Sequence, residues 1–326
     1  MWFNDLTGFY EKQESIYQNL IVRDGILKSK VNNREFHYGS LEMPTLKELR
    51  VRVAKSDAKK GKLKLEAIQA DVRALHLDET NRDALFQVAS QFNLLEMVDS
   101  TTTPEEGVDI YEYDNTQGPI CAICAGAGTI YRNYFVPLDG QVGQSATKQI
   151  DCLAKVGEAL GNENNALWEM QNGYAMLKED GLYTINRELE AMSEDSVDEI
   201  REKLQIGLMW DTQVTLYGST HRVSQAYCSA LPISYVGFVT EIWKPFASLI
   251  LEASYEATIC AGILNGDDRV YLTLVGGGVF GNELAWICSA IERACLKYSD
   301  YSLEVMIVNY SSISGEVLEL VKRFKK

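Results

Sequence analysis

Positive charge is in short supply. Lysine and arginine number 31 against 46 aspartates and glutamates, a net charge of −15, which argues against general affinity for nucleic acid or an anionic membrane. A cationic partner surface is more compatible. No apolar run approaches the roughly 20 residues that span a bilayer, and the opening residues MWFNDLTGFYEKQES have neither a basic n-region nor an apolar h-region. The expectation is a cytoplasmic protein. Histidine is scarce: His37, His76 and His221 lie far apart in sequence, so each is expected to be structural and no metal site is expected. The seven cysteines sit mostly in apolar stretches and read as reduced core residues. Cys121 and Cys124 form CxxC inside PICAICAGAG, with no second pair and no histidine at ligand spacing, which is not a zinc pattern. There is no internal repeat and no low-complexity tract.

The organising stretch is RVYLTLVGGGVFGNELAWICSAIERACL, Arg269 to Leu296. Val270 to Val275 has the composition of a central strand, and Leu284, Ile287, Cys288, Ile291 and Leu296 fall on one helical face. Between them, Gly276, Gly277, Gly278 and Gly281 remove the Cβ atoms that keep a ligand from the backbone and permit positive φ. Such a loop entering a helix is an anion site, and phosphate is its natural guest. Asn282 or the preceding turn is expected to cap the helix, with Glu283 in its first turn. The loop has neither the GK[ST] of a P-loop nor GxGxxG spacing, so a tight turn without a ligand is the competing reading.

A 46% hydrophobic composition allows a sizeable core. Residues 1–60 read as an N-terminal extension packed on the core. They hold an amphipathic start from Phe9 to Val22, a hairpin around Ile26 to Val31 and Glu35 to Leu41, and a basic turn from Lys55 to Lys62. KLKLEAIQAD and DALFQVAS follow as strands, the second ending in Ser90, Gln91 and Asn93, where open α/β sheets place ligand groups. The polar stretch before Pro119 carries Asp99, Glu105, Glu106, Asp109, Glu112 and Asp114 and is long for a simple connection. Those carboxylates serve either acid/base work or a solvated surface. Residues 144–160, 165–177 and 186–204 are helical by spacing and form an apparent helical insertion over 141–205. IGLMWDTQVTL and SLEVMIVNYS return to strand composition, and Ser314 to Lys326 is a short amphipathic helix. The strand, loop and helix order makes the class α/β.

Taken together, these segments resemble a macrodomain, the three-layer α/β/α fold that binds ADP-ribose, over residues 61–326. IQADVRALHLDETNRDALFQVASQFNLL looks like the family's first two strands and their ligand loops. The resemblance implies that Asp71, followed by Val72, receives the adenine amino group, and that Asn93 matches the last Asn of the second motif. Gly276, Gly277, Gly278, Val279, Phe280 and Gly281, followed by Asn282, match the second phosphate loop, and Tyr310 in VNYS takes the place of the aromatic beside the adenine or ribose. The chain is also similar to poly(ADP-ribose) glycohydrolases, although the three glycines before their Gln-Glu-Glu are not present here as a unit. VASQFNLLEM, YDNTQGP and IYRNYF are similar to a divergent glycohydrolase-like branch, one member of which removes ADP-ribose from arginine of ubiquitin.

This resemblance implies an ADP-ribosyl hydrolase acting on modified protein side chains without a cofactor, with ADP-ribosylated protein as its partner. Hydrolysis of a ribosyl bond needs leaving-group assistance and a positioned water, tasks that carboxylates perform. Glu106, Asp109 and Asp114 are the candidates, with Asp99 in reserve. The alternative is a reader that binds ADP-ribose and does not cleave it.

Overall fold

A computed structural model describes residues 1–325. Its centre is a mixed sheet of β1 (Ser40–Glu42), β2 (Lys64–Gln69), β3 (Leu85–Ala89), β4 (Gly207–Gln213), β5 (Arg222–Cys228), β6 (Arg269–Leu272) and β7 (Glu304–Asn309), in the order β1-β4-β5-β3-β6-β7-β2. The strands β5, β3, β6, β7 and β2 run parallel, with Cys228 opposite Ala89, Leu272 opposite Ile307 and Asn309 opposite Gln69. β4 is antiparallel to both its neighbours. β3 is the middle strand, and its segment LFQVA, apolar except for Gln87, is buried almost throughout, as expected of a parallel strand covered on both faces. The register brings the carboxyl ends of the five parallel strands to one edge, where open α/β sheets bind ligands.

Helices cover both faces, so the α/β/α reading holds. On one face the 21-residue helix Lys244–Leu264 enters with Pro245 in its first turn and packs against helices Leu46–Lys55 and Leu284–Lys297. Its Glu256 is fully buried and ties the three together through Arg50 at 2.6 Å, Arg293 at 2.7 Å and Lys297 at 2.7 Å. Burial alone would raise this carboxyl, but the three cations hold it down to about 2. On the other face lie helices Val72–Leu77, Gln117–Cys124 and Gly126–Ile130. Against them packs a second apolar cluster in which Trp2, Phe3, Leu6 and Leu27 meet Ile123, Ala127 and Ile130.

Residues 1–60 are divided between both parts. Trp2–Thr7 and a three-stranded antiparallel sheet, Leu20–Arg23, Ile26–Ser29 and Glu35–His37, build the second cluster, whereas β1 and helix Leu46–Lys55 belong to the main sheet and its helical layer. The insertion departs from the helical expectation. Residues 144–153 are not helical, and Trp168–Gln171 with Tyr174–Leu177 is a β-hairpin. Its two-residue turn is Asn172-Gly173 with φ of 45° and 81°, and this turn chemistry overrides the apolar spacing that suggested a helix. The predicted helix over 186–204 is two helices, Glu179–Ala191 and Glu194–Arg201, broken where Ser193 caps the second. The last helix is Gly315–Phe324; Lys326 lies outside the described residues.

The hairpin turn sits directly on the loop after β3. A Cβ added at Gly173 would lie 2.6 Å from the Asn93 side chain and 2.7 Å from Gln91 Cβ. Gly173→Ala is therefore expected to destabilise the protein by about 1–3 kcal/mol in denaturant unfolding, through both φ strain and overpacking.

Candidate functional site

Along the carboxyl edge runs a cleft with two lobes, of about 160 Å³ and about 300 Å³. Thr273, Leu274, Gln117 and Gly278 line both lobes, so the lobes meet over the start of the glycine loop. The loop is strapped at its base. Buried Gln87 of β3 accepts from the Thr273 amide at 3.3 Å, while the Tyr255 hydroxyl donates to the Thr273 carbonyl at 2.7 Å and accepts from the Val275 amide at 2.9 Å. Asn282 closes the loop by donating from its amide nitrogen to the Leu231 carbonyl at 2.8 Å and from its backbone to Gly276 at 2.9 Å.

Two of the four glycines are required by this closure. Gly276 and Gly281 both have φ of +76°, and added Cβ atoms would lie 2.5 Å from Ala230 and 2.1 Å from the Ser234 hydroxyl. Gly278 has neither constraint, because a Cβ there would meet nothing within 4 Å. The amides of Gly276, Gly278, Val279 and Phe280 have no acceptor among the described residues, whereas the Gly277 amide donates to the Leu274 carbonyl at 3.0 Å. Free N–H groups on neighbouring residues are the donors that an anion site requires. Helix Leu284–Lys297 follows with Glu283 at its cap position, and no side chain caps it. The expectation that Asn282 caps this helix is thus corrected: its side chain is spent on the Leu231 and Gly276 carbonyls.

The larger lobe lies at the ends of β2 and β7. Asp71 caps helix Val72–Leu77 by accepting from the Arg73 amide at 2.8 Å, and together with Val72 and Tyr310 it lines this lobe. Tyr310 is 79% exposed.

The smaller lobe is walled by Phe280, Tyr174 and Tyr235, whose rings lie 5.2–5.7 Å apart, and by the segment after β3. That segment is held by the Gln91 side chain, which donates to the Met97 carbonyl at 3.1 Å and accepts from the Met97 amide at 2.9 Å. It presents Glu96 to the lobe. Glu96 is almost wholly buried, and Arg132 grips both its oxygens at 3.0 and 3.1 Å. Arg132 itself comes from a π-helical turn, Tyr131–Phe135, a distortion frequent at functional sites. Its guanidinium also donates to the Leu94 carbonyl at 2.9 Å and to the Tyr227 hydroxyl. Burial raises the Glu96 carboxyl to about 7 against the pull of Arg132. Asp114 lines the same lobe, half-buried, with one oxygen accepting from the Thr116 amide at 2.8 Å.

The remaining sequence candidates lie elsewhere. Asn93 is fully buried outside the cleft lining, accepting from the Leu95 amide at 3.0 Å and donating to Gln149 at 2.8 Å. Asp109 faces the N-terminal segment, its amide donating to Glu11 at 2.6 Å, and desolvation raises its carboxyl. Glu106 closes a capping box with Thr103 and lines a side cavity next to the cleft. Asp99 is occupied by Thr101 and Thr102. The structure thus brings Asp71, Val72, Gly276, Gly277, Gly278, Val279, Phe280, Tyr310 and Asp114 to one cleft. It adds Glu96, which the sequence reading passed over; its signal was a lone carboxylate in the apolar run FNLLEMV.

No family model and no curated protein matches this chain. Solved structures to which it is similar include a poly(ADP-ribose) glycohydrolase from Thermomonospora curvata bound to the inhibitor ADP-HPD, at 12% identity and TM-score 0.46 over 95% of each chain. A poly(ADP-ribose) glycohydrolase from Deinococcus radiodurans in complex with ADP-ribose is similar at 12% identity and TM-score 0.47, over 87% of this chain and 94% of that one.

Because Gly278 is free of strain and clash, its replacement separates binding from folding. Gly278→Val is expected to leave the thermal midpoint within about 2 °C. It should weaken binding of inorganic pyrophosphate at least about tenfold in calorimetry, by filling the space before the free amides.

Proposed function

We propose that the protein is a hydrolase that releases ADP-ribose from modified protein side chains, with arginine as the linked residue. The observation that carries this reading is the pair of carboxyls in one lobe, buried Glu96 and half-open Asp114, beside a loop with free amides. In this arrangement the diphosphate lies against the amides of Gly276, Gly278, Val279 and Phe280. The adenine extends toward Asp71 and Tyr310, with the free Asp71 oxygen accepting from its amino group. The distal ribose then falls between Phe280, Glu96 and Asp114.

Cleavage forms a C–O bond from water to the anomeric carbon as the bond to the side-chain nitrogen breaks. Asp114, open to solvent, is placed to take a proton from the water. That proton ends on the departing guanidine, which leaves as guanidinium. Glu96, held against Arg132, faces the positive charge that develops on the ribose. Two carboxyls in contrasting environments divide such tasks. The arginine linkage is supported by the carboxylates at this end of the cleft, and the net charge of −15 suits a carrier with a basic surface, for which ubiquitin is our candidate. One feature favours a non-catalytic reader instead: Arg132 occupies both oxygens of Glu96.

Release of free ADP-ribose from matched arginine-, glutamate- and serine-linked substrates, with calorimetry of ADP-ribose on the same preparation, tests the reading. Release from the arginine linkage is expected, and binding without release from any of the three would leave the reader. Asp114→Asn is expected to lower turnover at least about a hundredfold while ADP-ribose affinity changes less than about threefold.

The raised Glu96 carboxyl also has a stability consequence. Its folded-state value lies above the unfolded one, so its stabilising contribution is full below the unfolded value near 4.5 and is lost as pH rises through about 7. Relative to Glu96→Gln, the wild type should therefore lose unfolding free energy between about pH 4.5 and about pH 7 and change little above that. Parallel denaturation curves across that range measure it.

A further inference from the structure

Among the described residues, every arginine forms an ion pair with a carboxylate except Arg34, Arg73 and Arg187. Acids are in excess in this chain, so an arginine without one calls for a reason. Arg34 and Arg73 line the same cavity, of about 380 Å³. It shares Asp114 with the smaller lobe of the cleft and Asn115 with the larger lobe. Arg73 comes from the helix that Asp71 caps; it is partly buried, and its Nε is buried without an acceptor. Arg34 is fixed in place, donating to the Asp5 carbonyl at 2.8 Å and lying 4.8 Å over the Phe36 ring. Trp2 in the same wall is 7% exposed, and its Nε1 is also buried without an acceptor. Unmet donors from two separate segments around one cavity point to an acceptor that arrives with a ligand.

The cavity also fixes the charge of that ligand. Asp5, Glu112 and Asp114 line it, yet none pairs with Arg34 or Arg73: Glu112 accepts from the Trp2 amide at 3.2 Å, Asp114 accepts from the Thr116 amide at 2.8 Å, and Asp5 is exposed. These acids repel a phosphate dianion more than a monoanion, and they can accept from N–H groups beside it. A carboxylate matches the planar fork of a guanidinium. A carboxylate on a short aliphatic stem, with N–H groups next to it, is a glutamate within a polypeptide; its methylenes meet Leu6, Ile123 and Leu216. We infer that this cavity docks a glutamate of the carrier protein, close in space to the residue that bears ADP-ribose. The inference rests on the hydrolase reading for its biological role, since a polypeptide leaving the reacting end of the cleft passes Asp114 into this cavity. The cleft thus selects the nucleotide, and the two arginines select the surface that carries it.

The test titrates N-acetylglutamate N-methylamide into the full chain and follows the Trp2 indole N–H and Arg73 Nε–H resonances. Saturable shifts of both are expected, and the glutamine analogue is expected to shift neither. Arg73→Gln and Arg34→Gln each remove one guanidinium and are each expected to weaken binding at least about fivefold, with ADP-ribose affinity within about threefold of wild type. Arg34 is exposed, so its replacement reads binding apart from folding. Equal shifts from the glutamate and glutamine analogues, or binding that survives both substitutions, would overturn the docking site. Glutarate binding as tightly as the peptide analogue would overturn the polypeptide as its occupant. The titration needs no turnover, so absent hydrolysis would count against the proposed function alone.

Discussion

The guanidinium of Arg132 is the constraint on which the site depends. It is fully buried and bonds a backbone carbonyl at Leu94, a carboxylate at Glu96 and a phenol at Tyr227, over whose ring it also lies at 3.7 Å. A buried cation with one partner removed leaves uncompensated charge in a low dielectric. The segment from Gln91 to Met97 therefore cannot drift from the π-helical turn that carries Arg132, and Glu96 keeps its place in the cleft wall. The Tyr227 hydroxyl in turn donates to Gln225, and Gln225 reaches the carbonyl of Cys121 at 3.0 Å and the ring of His76 at 3.1 Å. Burial holds His76 low, at about 4, so it stays a neutral partner across the physiological range. A single polar network thus runs beneath the cleft from the carboxyl at one end to the helix capped by Asp71 at the other.

The glycine loop solves a different problem, that of leaving amides free without collapsing onto itself. Gly276 and Gly281 turn the chain, Asn282 pins its ends, and the amides of Gly278, Val279 and Phe280 are left without an acceptor among the described residues. Free donors in a folded chain are uncommon. Two of the four glycines, Gly276 and Gly281, serve the turn, and a Cβ at Gly278 would meet nothing within 4 Å.

How much of this was legible in the sequence differs by element. The parallel strands were legible because buried β-branched runs have few alternative uses, and the loop because so many glycines in six positions leave little else to form. The hairpin Trp168–Leu177 was not, since its apolar residues also fit a helical period and only Asn172-Gly173 told against it. The acidic segment was legible as carboxylate-rich but not residue by residue. Which carboxylate faces the cleft depends on short 3₁₀ turns fixed by Glu11, a residue distant in sequence. Asp109 turns toward the N-terminal cluster and Asp114 toward the cleft for that reason. Glu96 carried the weakest signal, one carboxylate in an apolar run, because its meaning comes from Arg132 in another segment.

The most direct test of the account is a titration of the isotopically labelled protein with ADP-ribose, followed by backbone amide resonances. The account predicts saturable shifts at Gly276, Gly278, Val279 and Phe280, with smaller shifts at Asp71 and Tyr310 on the same curve and none at the Gly277 amide beyond those of its neighbours. Saturable binding that leaves the loop amides unmoved, or no binding at all, would contradict it.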